Sequence, residues 1–359
     1  MNTYLGNKRL VNGNSNPGKC MAQLKLSVDL GENFNDPLRF VECAELADNY
    51  GFDTVWFGDH LMPWIHSGNK SAFVWSVIPV ALDRTKNIRI GPDVTSPIGG
   101  RYQPIIIAQA AATLDNMYPA RFCLGVGSGE AVGEAPFFPS GWPKWLERTK
   151  RLTEAITLIK KSWTSNEYFT FEGEYFRIEN FFLYTKPKTQ IPIYFSAIGK
   201  QATHFAGTVG DHLVTINSPE TCQNIIFPIF ESAARNAGKD PTRMEKMVLL
   251  DLFFGDKLQG VKEARRSGEA GILAEGAFEQ RDPRKIQEMS ALVSDSKILA
   301  NKFFISSPDE LIELIDKYWQ AGATHIDLTT HSFPDRIRMI GTKVVPYFTE
   351  RKDDYVRTE

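Results

Sequence analysis

Short apolar runs alternate with longer amphipathic segments along most of the chain. The runs are rich in Val, Ile, Leu and Phe, which is typical of strands. Eight candidate strands follow this pattern: Leu24–Asp29, Thr54–Phe57, Ile88–Gly91, Phe122–Gly127, Ile191–Ser196, His212–Ile216, Val248–Phe254 and His325–Thr329. Strands that alternate with helical segments predict repeated βα units around a parallel sheet.

The intervening segments carry apolar residues at helical spacing. Residues Asp36–Tyr50, for example, end at Gly51, which is a good C-terminal cap. Further helices are predicted at Ile105–Met117, Lys144–Trp163, Gln201–Gly210, Pro219–Ala237, Pro308–Ala321 and Pro334–Phe348. A chain of 359 residues also has room for two smaller domains, but eight strands with helices between them favour a closed (β/α)8 TIM barrel over an open doubly wound sheet.

Two stretches interrupt this rhythm. Residues 166–185 predict a β-hairpin that turns at Glu172–Gly173, and Gly255–Lys302 is predicted to be a long irregular region. Insertions of this kind in a barrel commonly form the lid or the walls of the site. We therefore expect one barrel domain over residues 23–350, preceded by an N-terminal extension over 1–22 and followed by a tail over 351–359.

Composition and charge limit the function classes. The formal net charge is −2 and basic residues are scattered, so a nucleic-acid partner is not expected. No stretch approaches the roughly 20 apolar residues of a membrane span, and the N-terminus has no apolar signal core, which predicts a cytoplasmic protein. The four cysteines are far apart and form no CxxC pair, which argues against a zinc site and a disulfide framework. We expect free thiols and no metal.

A polar motif, FGDHLMPWIHSG, follows the second predicted strand and contains Asp59, His60 and Trp64. In a TIM barrel, residues just beyond a strand's C-terminal end face the mouth of the active site. The imidazole of His60 suits a general base because its ordinary pKa of about 6.5 lies near working pH. An isolated histidine is more often a structural residue, and the position of His60 is what favours catalysis.

The fourth predicted strand leads into a glycine-rich loop, RFCLGVGSGEAVGE. Its glycines permit close approach of the backbone to a ligand, although a simple turn is the commoner reason for such a loop. The spacing matches neither a dinucleotide-binding fingerprint nor a phosphate loop. Glu130 in this loop would place a carboxylate opposite His60, which supplies the two titratable groups that a hydride-transfer site needs.

Several motifs together carry a family resemblance: DHxxPW at 59–64, RYxPxxxAQ at 101–109, YPxR at 118–121, GVGSGEAxxE at 125–134, FLYTKP at 182–187 and GDHLVT at 210–215. Through them the chain resembles the deazaflavin-dependent branch of the bacterial-luciferase-like barrels from Leu24 to about Pro346. That branch includes F420-dependent secondary alcohol dehydrogenases and, more distantly, F420-dependent glucose-6-phosphate dehydrogenases. The resemblance implies a luciferase-like TIM barrel, coenzyme F420 as the cofactor and a homodimer.

The resemblance also implies roles for individual residues. His60 resembles the base that takes the alcohol proton, Trp64 the ring that stabilises developing charge, and Glu130 the acid at the substrate hydroxyl or the deazaflavin. Positions that match cofactor contacts are Asp59, Asp93, Val94, Ser96, Ser128, Gly129, Gly133, Ile198 and Gly199, and Asp93–Val94 matches a non-prolyl cis peptide behind the ring. Ile216 and Lys302 match positions that bind substrate.

Departures from the family pattern bear on the substrate. Where the sugar-phosphate enzymes bind phosphate with two lysines and an arginine, this chain has Pro219, Ala277 and Lys302. A phosphate would lose most of its charge-assisted hydrogen bonds there. We therefore expect an F420-dependent dehydrogenase that acts on a secondary alcohol or its ketone. The alternatives are a sugar or sugar-phosphate dehydrogenase, an FMN-dependent monooxygenase and a non-catalytic deazaflavin-binding protein.

Overall fold

The computed structural model describes residues 23–31, 36–67, 71–331 and 333–350. The predicted extension over 1–22 and the predicted tail over 351–359 lie outside the described residues. The strands are β1 (Lys25–Asp29), β2 (Thr54–Phe57), β3 (Arg89–Pro92), β4 (Leu124–Val126), β5 (Phe169–Glu172), β6 (Arg177–Phe181), β7 (Ile193–Ser196), β8 (His212–Thr215), β9 (Lys246–Leu250), β10 (Leu252–Phe254), β11 (Phe303–Ile305) and β12 (His325–Thr329).

The α-helices lie mainly between these strands. They are α1 (Leu38–Asn49), α2 (Val74–Arg84), α3 (Pro104–Met117), α4 (Ala131–Glu134), α5 (Trp145–Thr164), α6 (Lys200–Val209), α7 (Pro219–Thr221), α8 (Phe227–Asn236), α9 (Lys257–Ser267), α10 (Glu269–Ile272), α11 (Pro283–Leu292), α12 (Asp295–Asn301), α13 (Pro308–Gln320), α14 (Pro334–Lys343) and α15 (Val345–Glu350). A π-helical stretch, Cys222–Ile226, joins α7 to α8.

Eight parallel strands form the barrel, which confirms the predicted fold class. Their order is β3, β2, β1, β12, β9, β8, β7 and β4. The two ends of this order meet through parallel bridges that pair Ile90 with Phe122 and Thr95 with Val126. The sheet therefore closes on itself, and the C-terminal ends of all eight strands face one mouth.

Side chains fill the barrel interior. Trp56, Cys123, Tyr194, Val214 and Met247 are buried together although they come from five separate strands or strand starts, so they can meet only inside the ring. Glycine makes room for the large ring of Trp56: a Cβ at Gly91 would lie 2.9 Å from Trp56 Cζ3. The backbone of β3 also leaves no space for a side chain at Gly125, because a Cβ there would lie 2.2 Å from the carbonyl oxygen of Pro92.

The Gly125→Ala substitution is expected to lower the free energy of unfolding by about 1–3 kcal/mol, because the added methyl group has to push β3 and β4 apart. Chemical denaturation at equilibrium measures this change. Gly199→Ala is the matched control, since nothing lies within 4 Å of a Cβ there and its φ is negative. Equal denaturation midpoints for Gly125→Ala and wild type would contradict the claim that β3 and β4 pack too closely for a side chain at Gly125.

A polar network occupies the N-terminal mouth of the barrel. The Glu245 carboxylate accepts hydrogen bonds from Lys25 Nζ at 2.6 Å and Tyr194 OH at 2.8 Å, and lies 2.8 Å from His325 Nδ1. Burial acts to raise the pKa of Glu245, but His325 and Arg89 outweigh it and hold this pKa well below its usual range. Because these charges are paired within the protein, this mouth has a structural role, and His325 is structural as predicted.

The structure departs from the predicted elements in three places. The apolar run Val248–Phe254 is divided at Asp251, where the chain leaves the barrel so that β10 pairs with β11. The region from Gly255 to Lys302 is largely helical, in α9 to α12, where we expected irregular chain. The helix α2 was not predicted, because Pro79 lies inside it and proline usually breaks a helical pattern. The predicted hairpin, β5 with β6, is confirmed.

Candidate active site

The barrel brings His60, Trp64 and Glu130 together at the C-terminal mouth. His60 lies in the loop after β2, and Glu130 precedes α4 in the loop after β4. The His60 Nδ1 atom lies 3.7 Å from Glu130 Oε2, and the ring centroids of His60 and Trp64 are 6.2 Å apart. Both His60 and Glu130 are partly exposed, whereas Trp64 is buried. An imidazole and a carboxylate therefore face each other beside an indole ring, as the sequence predicted.

The residue before His60 anchors this loop. The Asp59 carboxylate is fully buried and accepts hydrogen bonds from Thr95 Oγ1 at 2.6 Å, Tyr102 OH at 3.0 Å and Arg101 Nη2 at 3.1 Å. Arg101 also donates to the Asp59 carbonyl oxygen at 2.8 Å. Four hydrogen bonds to one residue leave the loop little freedom, so the backbone at His60 is held in a defined position.

Arg101 links the His60 loop to the Glu130 loop. Its Nε atom lies 3.1 Å from Glu134 Oε1, while its Nη2 atom binds Asp59. Burial raises the pKa of Glu134 to about 7, although the Arg101 charge acts to lower it. The guanidinium group thus holds two buried carboxylates that follow different barrel strands, and it sets the separation of His60 and Glu130.

The loop after β3 lies between these two loops and contains the Asp93–Val94 peptide bond, which is cis as the resemblance implied. Burial raises the pKa of Asp93 to about 7. The neighbouring Ser96 Oγ is buried and has no hydrogen-bond partner among the described residues. A Cβ at Gly129, whose φ is +76°, would lie 2.6 Å from that oxygen. Ser96 Oγ therefore lies close against Gly129 as a buried polar atom without a partner among the described residues.

The opposite side of the mouth is apolar and open. Ile198 follows β7 and Ile216 follows β8, and the side chains of both are about half exposed. Asn217 Nδ2 ties the two loops together through a 2.9 Å hydrogen bond to the Ile198 carbonyl oxygen. Apart from its chain neighbours, no atom of the described residues lies within 4 Å of a Cβ built at Gly199, which directly precedes α6. Exposed apolar side chains beside open backbone suit a flat, largely apolar ligand.

The remaining predicted site residues, Ser128, Gly133 and Lys302, each make different contacts. Ser128 is partly buried next to Gly129, and Gly133 lies in α4, where a Cβ would be 3.7 Å from Leu61 N. Lys302 lies at the start of β11, where its Nζ atom contacts the Asp251 carboxylate and lies 2.9 Å from Glu269 Oε2. In the described part of the chain, no group of three or more His, Cys, Asp or Glu side chains is arranged to hold a metal ion.

A family model described as luciferase-like monooxygenase matches residues 19–325, which is most of the chain. The chain belongs to the luciferase-like monooxygenase family. Within this family it is 32% identical over 311 residues to the F420-dependent glucose-6-phosphate dehydrogenase of Segniliparus rotundus, covering 84% of this chain and 92% of that enzyme. The corresponding enzyme of Microbacterium testaceum is also 32% identical, over 323 residues, covering 88% and 94% of the two chains.

Solved structures of luciferase-like proteins extend the comparison. An F420-dependent secondary alcohol dehydrogenase in complex with an F420-acetone adduct is 35% identical, with a TM-score of 0.83, and the match covers 90% of this chain and 98% of that one. The F420-dependent tetrahydromethanopterin reductase of Methanopyrus kandleri is 20% identical, with a TM-score of 0.69, over 91% of this chain and all of that one. The second likeness shows the shared fold alone.

Sequence reasoning did not identify the residues that support this luciferase-like site. Arg101 and Glu134 lie inside two of the quoted motifs, but their pairing joins loops from different strands and leaves no local spacing signal. Asp251 and Glu269 were also missed. The one available signal was the acidic Asp251 inside an otherwise apolar run, since a charge there requires a partner when it is buried.

Proposed function

We propose that this chain is an F420-dependent dehydrogenase that transfers a hydride between a secondary alcohol, or its ketone, and coenzyme F420. The observation that carries the proposal is the placement of His60 opposite Glu130 and beside Trp64 at the open mouth of the barrel. The relatives support the cofactor, since both the curated enzymes and the solved structure with 35% identity are F420-dependent. They act on CH–OH groups, in glucose 6-phosphate or in a secondary alcohol.

The residues at the mouth fit a deazaflavin. The half-exposed side chains of Ile198 and Ile216 offer an apolar surface, and the open position at Gly199 leaves space beside it. The buried, unsatisfied Ser96 Oγ offers a polar contact next to Gly129. These residues would hold the coenzyme together with Asp93 and Val94, with Asp59, Ser128 and Gly133 in the supporting loops. When bound, F420 supplies a carbon centre that accepts or gives a hydride.

The chain's own side chains take up the hydroxyl proton of the alcohol and align the substrate. His60 accepts the hydroxyl proton of the alcohol at an imidazole nitrogen, while the Glu130 carboxylate faces the imidazole at 3.7 Å. Trp64 forms a rigid apolar wall that excludes water from the reacting carbon. Arg101 holds the His60 and Glu130 loops at a fixed separation, so that the substrate is aligned before reaction.

The cellular setting is also a proposal. No helix in the described ranges is both long and apolar enough to cross a bilayer. Cys43, Cys123 and Cys222 are buried free cysteines, which fits a reducing compartment, whereas Cys20 lies outside the described residues. We place the enzyme in the cytoplasm, as a homodimer by its resemblance to the F420-dependent branch.

Binding of the two flavin types tests the proposal. The purified protein is expected to bind F420 and to leave FMN unbound at the same concentration, because the enzymes that the chain is similar to at 30% identity or more are F420-dependent. Titration followed by coenzyme fluorescence measures both affinities. The alternative FMN-dependent monooxygenase would show the opposite preference, and tighter binding of FMN would contradict the assignment. Binding of F420 without reduction by any alcohol or sugar phosphate would instead support the non-catalytic alternative.

A further inference from the structure

Lys302 is paired within the protein. Its side chain is only 7% exposed and its Nζ atom contacts two carboxylates, those of Asp251 and Glu269. Burial alone would lower the pKa of Lys302, but the two carboxylates raise it above its usual range, so the ammonium group stays charged. Because both carboxylates neutralise this charge, Lys302 has little net attraction left for an anionic ligand.

This cluster of Asp251, Glu269 and Lys302 lies on the same mouth as His60 and Trp64. Asp251 follows directly after the C-terminal end of β9. Gly268, which precedes Glu269, packs against Trp64: a Cβ at Gly268 would lie 3.0 Å from Trp64 Cβ. Phe278, further along the same segment, stands edge-on to the Trp64 ring at 5.7 Å. The cluster therefore lies beside Trp64, on the side of the mouth away from Ser96.

Further carboxylates make this side of the mouth acidic. Asp29, at the C-terminal end of β1, is partly buried, and this burial is the main cause of its raised pKa. The charges of Asp93, Glu269 and Asp251 raise that pKa further. Burial and the charge of Asp251 likewise raise the pKa of Glu269. A phosphate placed here would lie next to the carboxylates of Asp251 and Glu269, which repel another anion.

An independent observation concerns His331, which follows β12. Its side chain is only 4% exposed, and its Nε2 atom points toward Asp251 Oδ1 at 3.9 Å. Neither atom has a hydrogen-bond partner among the described residues. Burial is the main cause that lowers the pKa of His331, which favours the uncharged ring. A hydroxyl group can satisfy both His331 Nε2 and Asp251 Oδ1, because it donates one hydrogen bond and accepts another.

We propose that Asp251, Glu269, Lys302 and His331 recognise a hydroxyl group at the far end of the substrate, which makes the substrate a neutral polyhydroxy alcohol. This inference rests on the proposed function. Asp251 and Glu269 are both partly exposed and can accept from such hydroxyls, while Lys302 donates to them. The hydride leaves the carbinol carbon for F420, the hydroxyl proton goes to His60, and a ketone or lactone remains. The remote hydroxyls then orient the carbinol carbon without any anionic group.

The first test compares four substrates in the wild-type enzyme: glucose, sorbitol, glucose 6-phosphate and propan-2-ol. Loss of F420 absorbance gives kcat and KM for each. The value of kcat/KM is expected to be at least about tenfold higher for glucose or sorbitol than for the other two. Propan-2-ol lacks the remote hydroxyls, and the phosphate of glucose 6-phosphate would lie next to the carboxylates of Asp251 and Glu269. A higher value for glucose 6-phosphate or propan-2-ol would overturn the inference.

The second test uses Glu269→Gln, with Glu288→Gln as the control, since Glu288 lies on the nearby helix α11 and is exposed. In Glu269→Gln, KM for the polyol is expected to rise about tenfold or more, since hydrogen bonds to charged groups are the stronger ones. The kcat/KM ratio of glucose 6-phosphate to glucose should also rise, because Lys302 loses one of its two counter-charges. The affinity for F420, measured by fluorescence, and KM for propan-2-ol should not change.

The outcomes separate the two proposals. If propan-2-ol is oxidised and the polyols are not, the recognition site is wrong and the dehydrogenase assignment stands. If Glu269→Gln lowers kcat/KM equally for the polyol and for propan-2-ol, Glu269 has only a structural role and the inference is overturned as well. If F420 does not bind, or no alcohol reduces it, both proposals fail.

Discussion

Replacing His60 with alanine is expected to lower kcat for alcohol-dependent reduction of F420 by about 10²- to 10⁴-fold, the range that a general base contributes. The reason is geometric: in the described part of the chain, His60 is the imidazole that faces Glu130 at the mouth, 3.7 Å away and next to Trp64. Affinity for F420 should change little, because Ser96 and Gly129, which are proposed to contact the coenzyme, follow other strands than His60 does. Stopped-flow or steady-state absorbance gives kcat, and fluorescence titration gives the affinity.

The matched control for this prediction is His204→Ala. His204 lies exposed on α6, well outside the mouth, and its substitution should leave kcat within about twofold of wild type. A His60→Ala enzyme with unaltered turnover would contradict the role of His60 as the base. Loss of F420 binding in the same variant would instead show that the imidazole serves the cofactor.

Substitution of Arg101 by methionine is expected to lower the free energy of unfolding by about 3–5 kcal/mol, which is typical when one partner of a buried ion pair is removed. Arg101 holds the buried carboxylates of Asp59 and Glu134, and methionine leaves both without their cation. Methionine retains much of the length of the side chain, so that lost packing is a minor part of the effect. Chemical denaturation at pH 7 measures this change.

The control for Arg101→Met is Arg177→Met on the hairpin. Arg177 also contacts two carboxylates, those of Glu172 and Glu179, but its side chain is 67% exposed. Its loss should change the free energy of unfolding by less than about 1 kcal/mol, as for exposed ion pairs in general. Equal denaturation midpoints for the two variants would show that burial does not strengthen the Arg101 network.

Much of the barrel was predictable because its strands and helices follow local patterns of apolar and polar residues. Each barrel strand is an apolar run followed by a helical pattern, and the chain has to close those strands into a parallel sheet. The helices between Gly255 and Lys302 were missed although local signals were present. Asp256 caps α9 by accepting from Gln259 N, and Gly268 ends that helix with a φ of +93°. These are ordinary start and stop signals, hidden by a weakly apolar sequence between them.

The candidate site was predictable to the extent that it depends on strand ends. His60 and Glu130 lie just beyond β2 and β4, so the barrel rule alone places them at one mouth. The groups that tune the site come from distant parts of the chain: Arg101 with Glu134, and Lys302 with Asp251. Such pairs depend on which loops meet in three dimensions, and spacing along the sequence does not encode that. The neutralised charge of Lys302 therefore became visible only in the structure.

A crystal structure of the protein with F420 bound tests the central claim most directly. We expect the deazaflavin ring to lie against the Asp93–Val94 peptide, with its reactive carbon facing a space bounded by His60, Trp64 and Glu130. A ketone soaked into such crystals should place its carbonyl carbon about 3–3.5 Å from that reactive carbon. A ring bound elsewhere, or one whose reactive carbon faces away from these three side chains, would contradict the account.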